Sequence, residues 1–270
     1  MELVVVEGPV VVLVSGGVDS SLTAHLVKES GLTASYWFID NGLQRKGEAS
    51  KLRGMFSRIG IKVNVLNGRR DFLKVIKNCE TGEEKRDAIG EALVKKAMDI
   101  ADIEGSKNLV FGTIKNDLLV CENCSVTDLG RYKLVEPLRD MLKEDVIRLA
   151  KGYGLREFAK RQHFPGVGFA VRIEGKVTLQ KLKLIGEITD FVEGVVQNFE
   201  ADYYAYFPIL LKTGNVLLRI VESDQGLEAK VGKLNQEQMN NLAGGIMKRF
   251  PVNRVFLDLT PKPLNYIEYM

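Results

Sequence analysis

The sequence predicts an α/β protein: a doubly wound parallel sheet with helices on both faces, followed by a smaller α+β unit. Three observations predict it. Up to about residue 154, short apolar runs alternate with longer stretches of helical periodicity. The first apolar run ends in a glycine-rich turn that opens directly into a helical pattern. After Gly154 the alternation stops, a turn-rich stretch follows, and the remaining helix and strand patterns form no long parallel series.

Taken in order, residues 10–14 (VVVLV) read as a buried strand, and residues 20–30 as a helix stopped by Gly31. Residues 34–39 read as strand, 48–59 as helix and 62–66 as strand. Helical patterns follow at 71–77 and 83–103, the second long and amphipathic. Residues 108–112 are a short apolar strand, and 140–153 a helix stopped by Gly154. Strands that alternate with helices make a parallel sheet covered on both faces, and such sheets bind ligands beyond the carboxyl ends of their strands. In the second part, 179–199 is a helix, 205–211 and 216–221 are strands, 236–249 is a helix and 254–259 a strand. The change of character divides the chain into domains 1–165 and 166–270.

Bulk properties narrow the class. The chain has 270 residues, 45% hydrophobic and 27% charged, enough for one large or two modest globular cores. A net charge of +3 does not call for nucleic acid and suits anionic small molecules such as nucleotides. There is no run of eighteen apolar residues, and the start lacks the basic stretch of a signal peptide, so a cytoplasmic protein with no membrane contact is expected. Three cysteines, Cys79, Cys121 and Cys124, are too few for a disulfide framework.

The chemistry concentrates in Ser15-Gly16-Gly17-Val18-Asp19-Ser20-Ser21. Glycines allow a sharp turn whose successive N–H groups point into one concavity. The helix that follows adds the positive end of its dipole, and the hydroxyls of Ser15, Ser20 and Ser21 add further donors. This is an anion site, and the anion is a phosphate. An aspartate inside it requires a cation, so Asp19 implies magnesium bridging to the phosphates. The Gly-Lys-Ser/Thr ending of the Walker loop is absent.

Ser-Gly-Gly-Val-Asp-Ser after a strand resembles the signature of the ATP pyrophosphatases, the PP-loop superfamily. The resemblance implies the adenine-nucleotide α-hydrolase-like fold and cleavage of ATP between its α and β phosphates. In such enzymes a substrate oxygen is adenylated, and ammonia or sulfur displaces AMP. Further segments are similar to the ATP-pyrophosphatase subunits of GMP synthetases: residues 38–45 with Asp40, Glu84-Lys85-Arg86, Gly112-Thr113 with Asp117, residues 134–140, Phe164-Pro165-Gly166 with Gly168 and Arg172, and a carboxyl end with Lys262, Ile267 and Glu268. The resemblance runs along nearly the whole chain.

On that resemblance, Ser15, Gly16, Gly17, Asp19, Ser20, Ser21, Asp40, Gly112 and Thr113 bind ATP. Asp19 and Asp117 hold magnesium, and Lys85 and Arg86 neutralise the departing pyrophosphate. Lys262 with Arg161 or Arg172, and His163, bind a nucleotide monoester, while Ile267 and Glu268 meet its purine. Domain 166–270 pairs two chains, and ammonia comes from a separate glutaminase subunit or from solution, since no glutaminase nucleophile elbow is visible in the chain.

Two departures open a second reading. The segment 118–133, where these relatives carry paired histidines in a lid, has none and instead holds Cys121-Glu122-Asn123-Cys124. The run 161–168 reads RQHFPGVG, which places His163 one position away from the family's histidine. A C-x-x-C can be a redox pair, half of a zinc site or two ordinary cysteines. With Cys79 it can also hold an iron–sulfur cluster with one open iron. PP-loop sulfur transferases use such cysteines, so sulfur transfer to RNA or to a small molecule is the alternative.

Overall fold

A computed structural model describes residues 6–115, 117, 129–160, 166–196, 204–223, 229–231 and 234–259. The described chain forms two compact units. The first gathers described residues of Met1–Gly42, Gly47–Phe72 and Gly90–Gly166, and the second those of Leu43–Lys46, Leu73–Ile89 and Val167–Met270.

The first unit is built on a parallel sheet of order β3-β2-β1-β4-β5. Its strands are β1 (Val10–Leu13), β2 (Ala34–Asp40), β3 (Val63–Asn67), β4 (Asn108–Val110) and β5 (Lys133–Val135). Val10 aligns with Ala34 on one side and with Asn108 on the other, so β1 is central. Val10, Val11 and Val12 are essentially inaccessible to solvent, as a strand covered on both faces requires. The helices are α1 (Val18–Glu29), α2 (Glu48–Arg58), α3 (Arg69–Val75), α4 (Gly82–Ile103), α5 (Lys143–Gly152) and α6 (Arg156–Lys160). The division between the units passes through α3 and α4. Helix α1 packs on α5 and α6. Val18, Leu22, Ala24, Leu26 and Val27 of α1 join Val146, Ala150, Leu155 and Phe158 in the core.

The second unit contains β6 (Tyr204–Leu210), β7 (Val216–Ser223), β8 (Ala229–Val231) and β9 (Val255–Leu257) with α7 (Leu179–Val196) and α8 (Gln236–Arg249). Strands β6 and β8 pair antiparallel with β7, and β9 pairs parallel with it. Helix α7 buries Leu182, Ile185, Ile188 and Val192 at helical spacing. Asn235 caps α8, accepting the Gln238 N–H at 2.8 Å while the Gln238 side chain accepts the Asn235 N–H, also at 2.8 Å.

The architecture matches the predicted class, with local corrections. Strands β5 and β8 and helix α6 were not expected. The helix predicted over 140–153 begins at Lys143, because residues 136–141 form turns in which Arg139 N–H donates to the Glu136 carbonyl and Met141 N–H to that of Leu138. The strand expected over 108–112 stops at Val110, freeing Gly112 and Thr113 to form a loop. No helix among the described residues is long and apolar enough to cross a membrane.

Candidate active site

The strand order reverses between β1 and β4, and that switch point is where an open α/β sheet leaves a crevice beyond its carboxyl edge. The loops that leave β1 and β4 there are residues 14–17 and 111–114, the two segments singled out in the sequence.

Gly16 has a φ of +77°, a left-handed conformation in which glycine is unstrained, and it turns the chain from strand to helix. Gly17 is the N-cap of α1 and, lacking a side chain, leaves the first amides of the helix without a side-chain cap. The serines brace the turn. The Ser15 amide donates to Ser20 Oγ at 3.1 Å, the Ser15 and Ser20 hydroxyls lie 2.9 Å apart, and Ser21 Oγ donates to the Gly17 carbonyl at 2.8 Å. Ser20 and Ser21 are buried, and Ser15 is exposed. The structure thus puts the Ser20 and Ser21 hydroxyls into shaping the loop and presents backbone N–H groups, with the helix dipole behind them, as the anion-binding surface.

Gly112 lies against this turn. A Cβ there would stand 2.7 Å from the Ser20 nitrogen and Cα and 3.0 Å from the Asp19 carbonyl carbon, so only glycine allows the approach. Thr113, the next residue, is half-buried. Ile114 N–H donates to Asp117 Oδ2 at 3.1 Å, and Lys115 N–H donates to the Met141 carbonyl at 3.0 Å, which ties the β4 loop to the segment preceding α5.

Asp19 receives both its carboxylate contacts from Lys143 Nζ, at 2.8 Å and 2.6 Å. Lys143 is the first residue of α5 and was not singled out in the sequence. Burial raises the pKa of the Asp117 carboxyl, the Ile114 N–H lowers it, the Asp19 charge raises it, Lys143 lowers it and Glu136 raises it. These charges therefore share one neighbourhood. Among the described residues no three His, Cys, Asp or Glu side chains form a metal-binding group. Two carboxylates beside a phosphate site nevertheless fit magnesium, which is commonly held by one or two carboxylates together with substrate phosphates.

Asp40, at the end of β2, is engaged by protein groups. Its Oδ1 accepts the Gly42 amide at 3.0 Å, and its Oδ2 accepts Arg69 Nε at 3.1 Å and Nη2 at 2.8 Å. The Asn41 side chain, fully buried, donates to the Gly166 carbonyl at 2.7 Å and pins the β2 loop.

The remaining candidates are distributed differently. Lys85 and Arg172 belong to the second unit. Lys85, which the resemblance sets against the departing pyrophosphate, is buried near the start of α4. It is 1% exposed, and its ammonium donates to the Ile173 carbonyl at 2.5 Å. Burial, reinforced by Lys181, lowers its pKa to about 8. Glu84 beside it accepts the Glu80 and Thr81 amides, while Thr81 Oγ1 accepts that of Glu84, which explains why α4 starts here. Arg86 is half-buried.

Arg172, expected from the resemblance to bind the monoester phosphate, lies in a 3-10 turn, Gly168–Arg172, and is 0% exposed. Its guanidinium lies 5.7 Å from the centre of the Phe169 ring and 5.3 Å from that of Phe207. Arg161, His163, Lys262, Ile267, Glu268, Cys121 and Cys124 lie outside the described residues. Cys79 is a free cysteine whose pKa is raised by burial and then by Glu84, against a smaller opposing effect of Lys85.

Comparison with known proteins places the chain among relatives. The family model described as thiamine biosynthesis protein (ThiI) matches residues 5–183. The B subunit of the glutamine-hydrolyzing GMP synthase of Archaeoglobus fulgidus is 32% identical over 287 residues, covering 97% of this chain and 93% of the relative. Its counterpart in Methanocaldococcus jannaschii is 33% identical over 285 residues, covering 96% and 92%. The glutamine-hydrolyzing GMP synthase of Gloeothece citriformis is 32% identical over 302 residues, covering 96% of this chain and 56% of the relative.

Proposed function

The chain belongs to the PP-loop ATP-pyrophosphatase superfamily of ATP-using enzymes, and from that premise we propose that it is the synthetase subunit of a GMP synthase. The observation that carries the reading is the likeness to the B subunits of GMP synthases along 92–93% of their length. In the proposed reaction the O2 of xanthosine monophosphate attacks the α-phosphorus of ATP, and pyrophosphate leaves. Ammonia then adds at C2, and AMP departs with the oxygen, giving GMP. Ammonia comes from a separate glutaminase subunit. Domain 1–165 carries the ATP chemistry, and domain 166–270 pairs two chains.

The chain's own residues account for the first half of this reaction. The uncapped amides of α1, together with Gly16 and Gly17, hold the phosphates, and the Ser15 hydroxyl adds a donor. Gly112 lets the loop after β4 approach the first turn of α1, and Thr113 beside it binds the nucleotide in this reading. Asp19 and Asp117 are the magnesium ligands in this reading, and Asp40 positions the nucleotide. Magnesium held by Asp19 and Asp117 would neutralise charge on the phosphates. Lys85, buried on the Ile173 carbonyl, takes no part in this reading, while Arg161, His163, Lys262, Ile267 and Glu268 bind the monoester nucleotide.

The Cys121-Glu122-Asn123-Cys124 run, standing where the resemblance expects lid histidines, supports a second reading, in which the adenylated acceptor receives sulfur through Cys121 and Cys124. The raised pKa of Cys79 disfavours the thiolate a ligand or nucleophile needs, so Cys79 is the weakest member of that set.

One assay separates the readings. Purified protein is incubated with MgATP, xanthosine monophosphate and an ammonium salt and followed for AMP, pyrophosphate and GMP. GMP formed one-for-one with pyrophosphate is the expected result. Absence of GMP from a folded protein that binds ATP overturns the first reading, and iron and sulfide bound to protein prepared without oxygen would then support the second.

A further inference from the structure

Asp19 and Lys143 meet from the first turns of two different helices, α1 and α5. The ammonium lies 2.8 Å and 2.6 Å from the two carboxylate oxygens, and the side chains are only 29% (lysine) and 14% (aspartate) exposed. Local helix energetics do not account for the lysine. It is the first residue of α5, where the positive end of the helix dipole repels a cation. The next two residues, Glu144 and Asp145, are of the sign that the position favours. The N-cap, Leu142, provides no side-chain bond. The placement is explained by Asp19. A carboxylate beside the anion-binding amides of α1 would repel phosphate, and Lys143 neutralises it.

We propose that Lys143 is a built-in counter-ion that holds Asp19 until a divalent cation arrives with a nucleotide, then yields Asp19 to the cation and turns its ammonium to a phosphate oxygen. The exchange leaves every charge paired: aspartate passes from ammonium to metal, and ammonium from aspartate to phosphate. It also makes the cation bind poorly alone, because a cation without nucleotide must displace the lysine and gives it no anion in return. This inference rests on the reading of residues 15–21 as an ATP phosphate site.

The test is Mn²⁺ binding in the absence of nucleotide, followed by electron paramagnetic resonance of the free ion. Removing the competitor in Lys143→Met is expected to tighten Mn²⁺ binding about tenfold, equivalent to about 1.4 kcal/mol, while weakening MgATP binding. Lys143→Arg, which keeps the charge, is expected to leave Mn²⁺ binding within about twofold of wild type. Mn²⁺ binding no tighter in a folded Lys143→Met protein overturns the proposal.

If that variant does not fold, acetylation of the wild-type lysines, read by mass spectrometry, decides instead. Saturating Mn²⁺ alone should speed modification of Lys143 severalfold by releasing it from Asp19, and an unchanged rate overturns the proposal. Failure of the functional reading is distinguishable. Wild type that forms no AMP from MgATP and its acceptor, while Lys143→Met gains Mn²⁺ affinity, removes the ATP-ligase reading and keeps the counter-ion. AMP formation with unchanged Mn²⁺ affinity does the reverse.

Discussion

The Cβ that Gly112 lacks would stand 2.7 Å from both the nitrogen and the Cα of Ser20. The loop after β4 and the first turn of α1 are therefore in backbone contact at the point where the nucleotide is proposed to bind. A side chain could not be accommodated by rotating something away, because the obstacle is main chain. Gly112→Ala is expected to cost about 1–3 kcal/mol of stability and to weaken MgATP binding at least severalfold. Denaturant unfolding and nucleotide titration check the two halves, and unchanged MgATP affinity would show that the contact is only structural.

The bond between Asp40 and Arg69 predicts a different pattern. Arg69 is 61% exposed at its side chain, so the pair contributes less than about 1 kcal/mol to folding. If its purpose is to orient Asp40 for the nucleotide, Arg69→Ala should leave the unfolding midpoint nearly unchanged and still weaken MgATP binding. Asp40→Ala should weaken it as much or more. Equal affinity in wild type and both variants would remove Asp40 from the nucleotide site.

Lys85 gives a pH dependence whose sign is set by burial. Its pKa falls from 10.5 to about 8 on folding, so between those values the unfolded chain binds more protons than the folded one. Stability contributed at this position therefore rises as pH increases from about 8 to about 10.5. The difference in unfolding free energy between wild type and Lys85→Met should grow in favour of wild type across that window, by at most about 3 kcal/mol. A flat difference would mean that Lys85 is not held as a buried ammonium.

Arg172 is expected to behave as an interior residue. Burial, reinforced by the nearby charge of Arg45, lowers the pKa of its guanidinium to about 9, a sign that desolvation outweighs the compensation it receives. In the proposed reading Lys262 and Arg161 are then left for the acceptor's phosphate. Arg172→Met, which removes the guanidinium from beside the Phe169 and Phe207 rings, should change the unfolding midpoint but leave the KM for the acceptor nucleotide unchanged. A raised acceptor KM in a fully stable variant would return Arg172 to the substrate.

The parts of the fold legible in the sequence are those written in local pattern. Valines run straight into Ser-Gly-Gly-Val-Asp-Ser-Ser, and the strand, the left-handed Gly16 and the start of α1 follow from residues adjacent in the chain. Gly112 was legible as a loop glycine, although its reason, the backbone of Ser20, is visible only in three dimensions. Strands β5 and β8 span three residues each, too short for any periodicity to register. The burial of Arg172 was not legible, because an arginine among the apolar Ala170, Val171 and Ile173 carries no local sign of a 3-10 turn. Lys143 was missed because its partner is 124 residues away, and the one local signal was a lysine opening a helix where acidic residues are favoured.

The central position of β1 has a consequence for how the molecule comes into being. The phosphate turn leaves a strand whose first neighbour, β2, follows soon after it in the chain, but whose second, β4, begins only at Asn108. A chain emerging from the ribosome carries the glycines and serines of the turn early, yet it cannot set Gly112 against Ser20 until everything from α1 to α4 has been made and β4 has docked. Non-local pairing of this kind is slow to form, and domains generally close as units during synthesis. Nascent chains halted before Asn108 should therefore fail to retain nucleotide even with the whole signature already exposed, and capture should begin only once the strand on the far side of β1 has arrived.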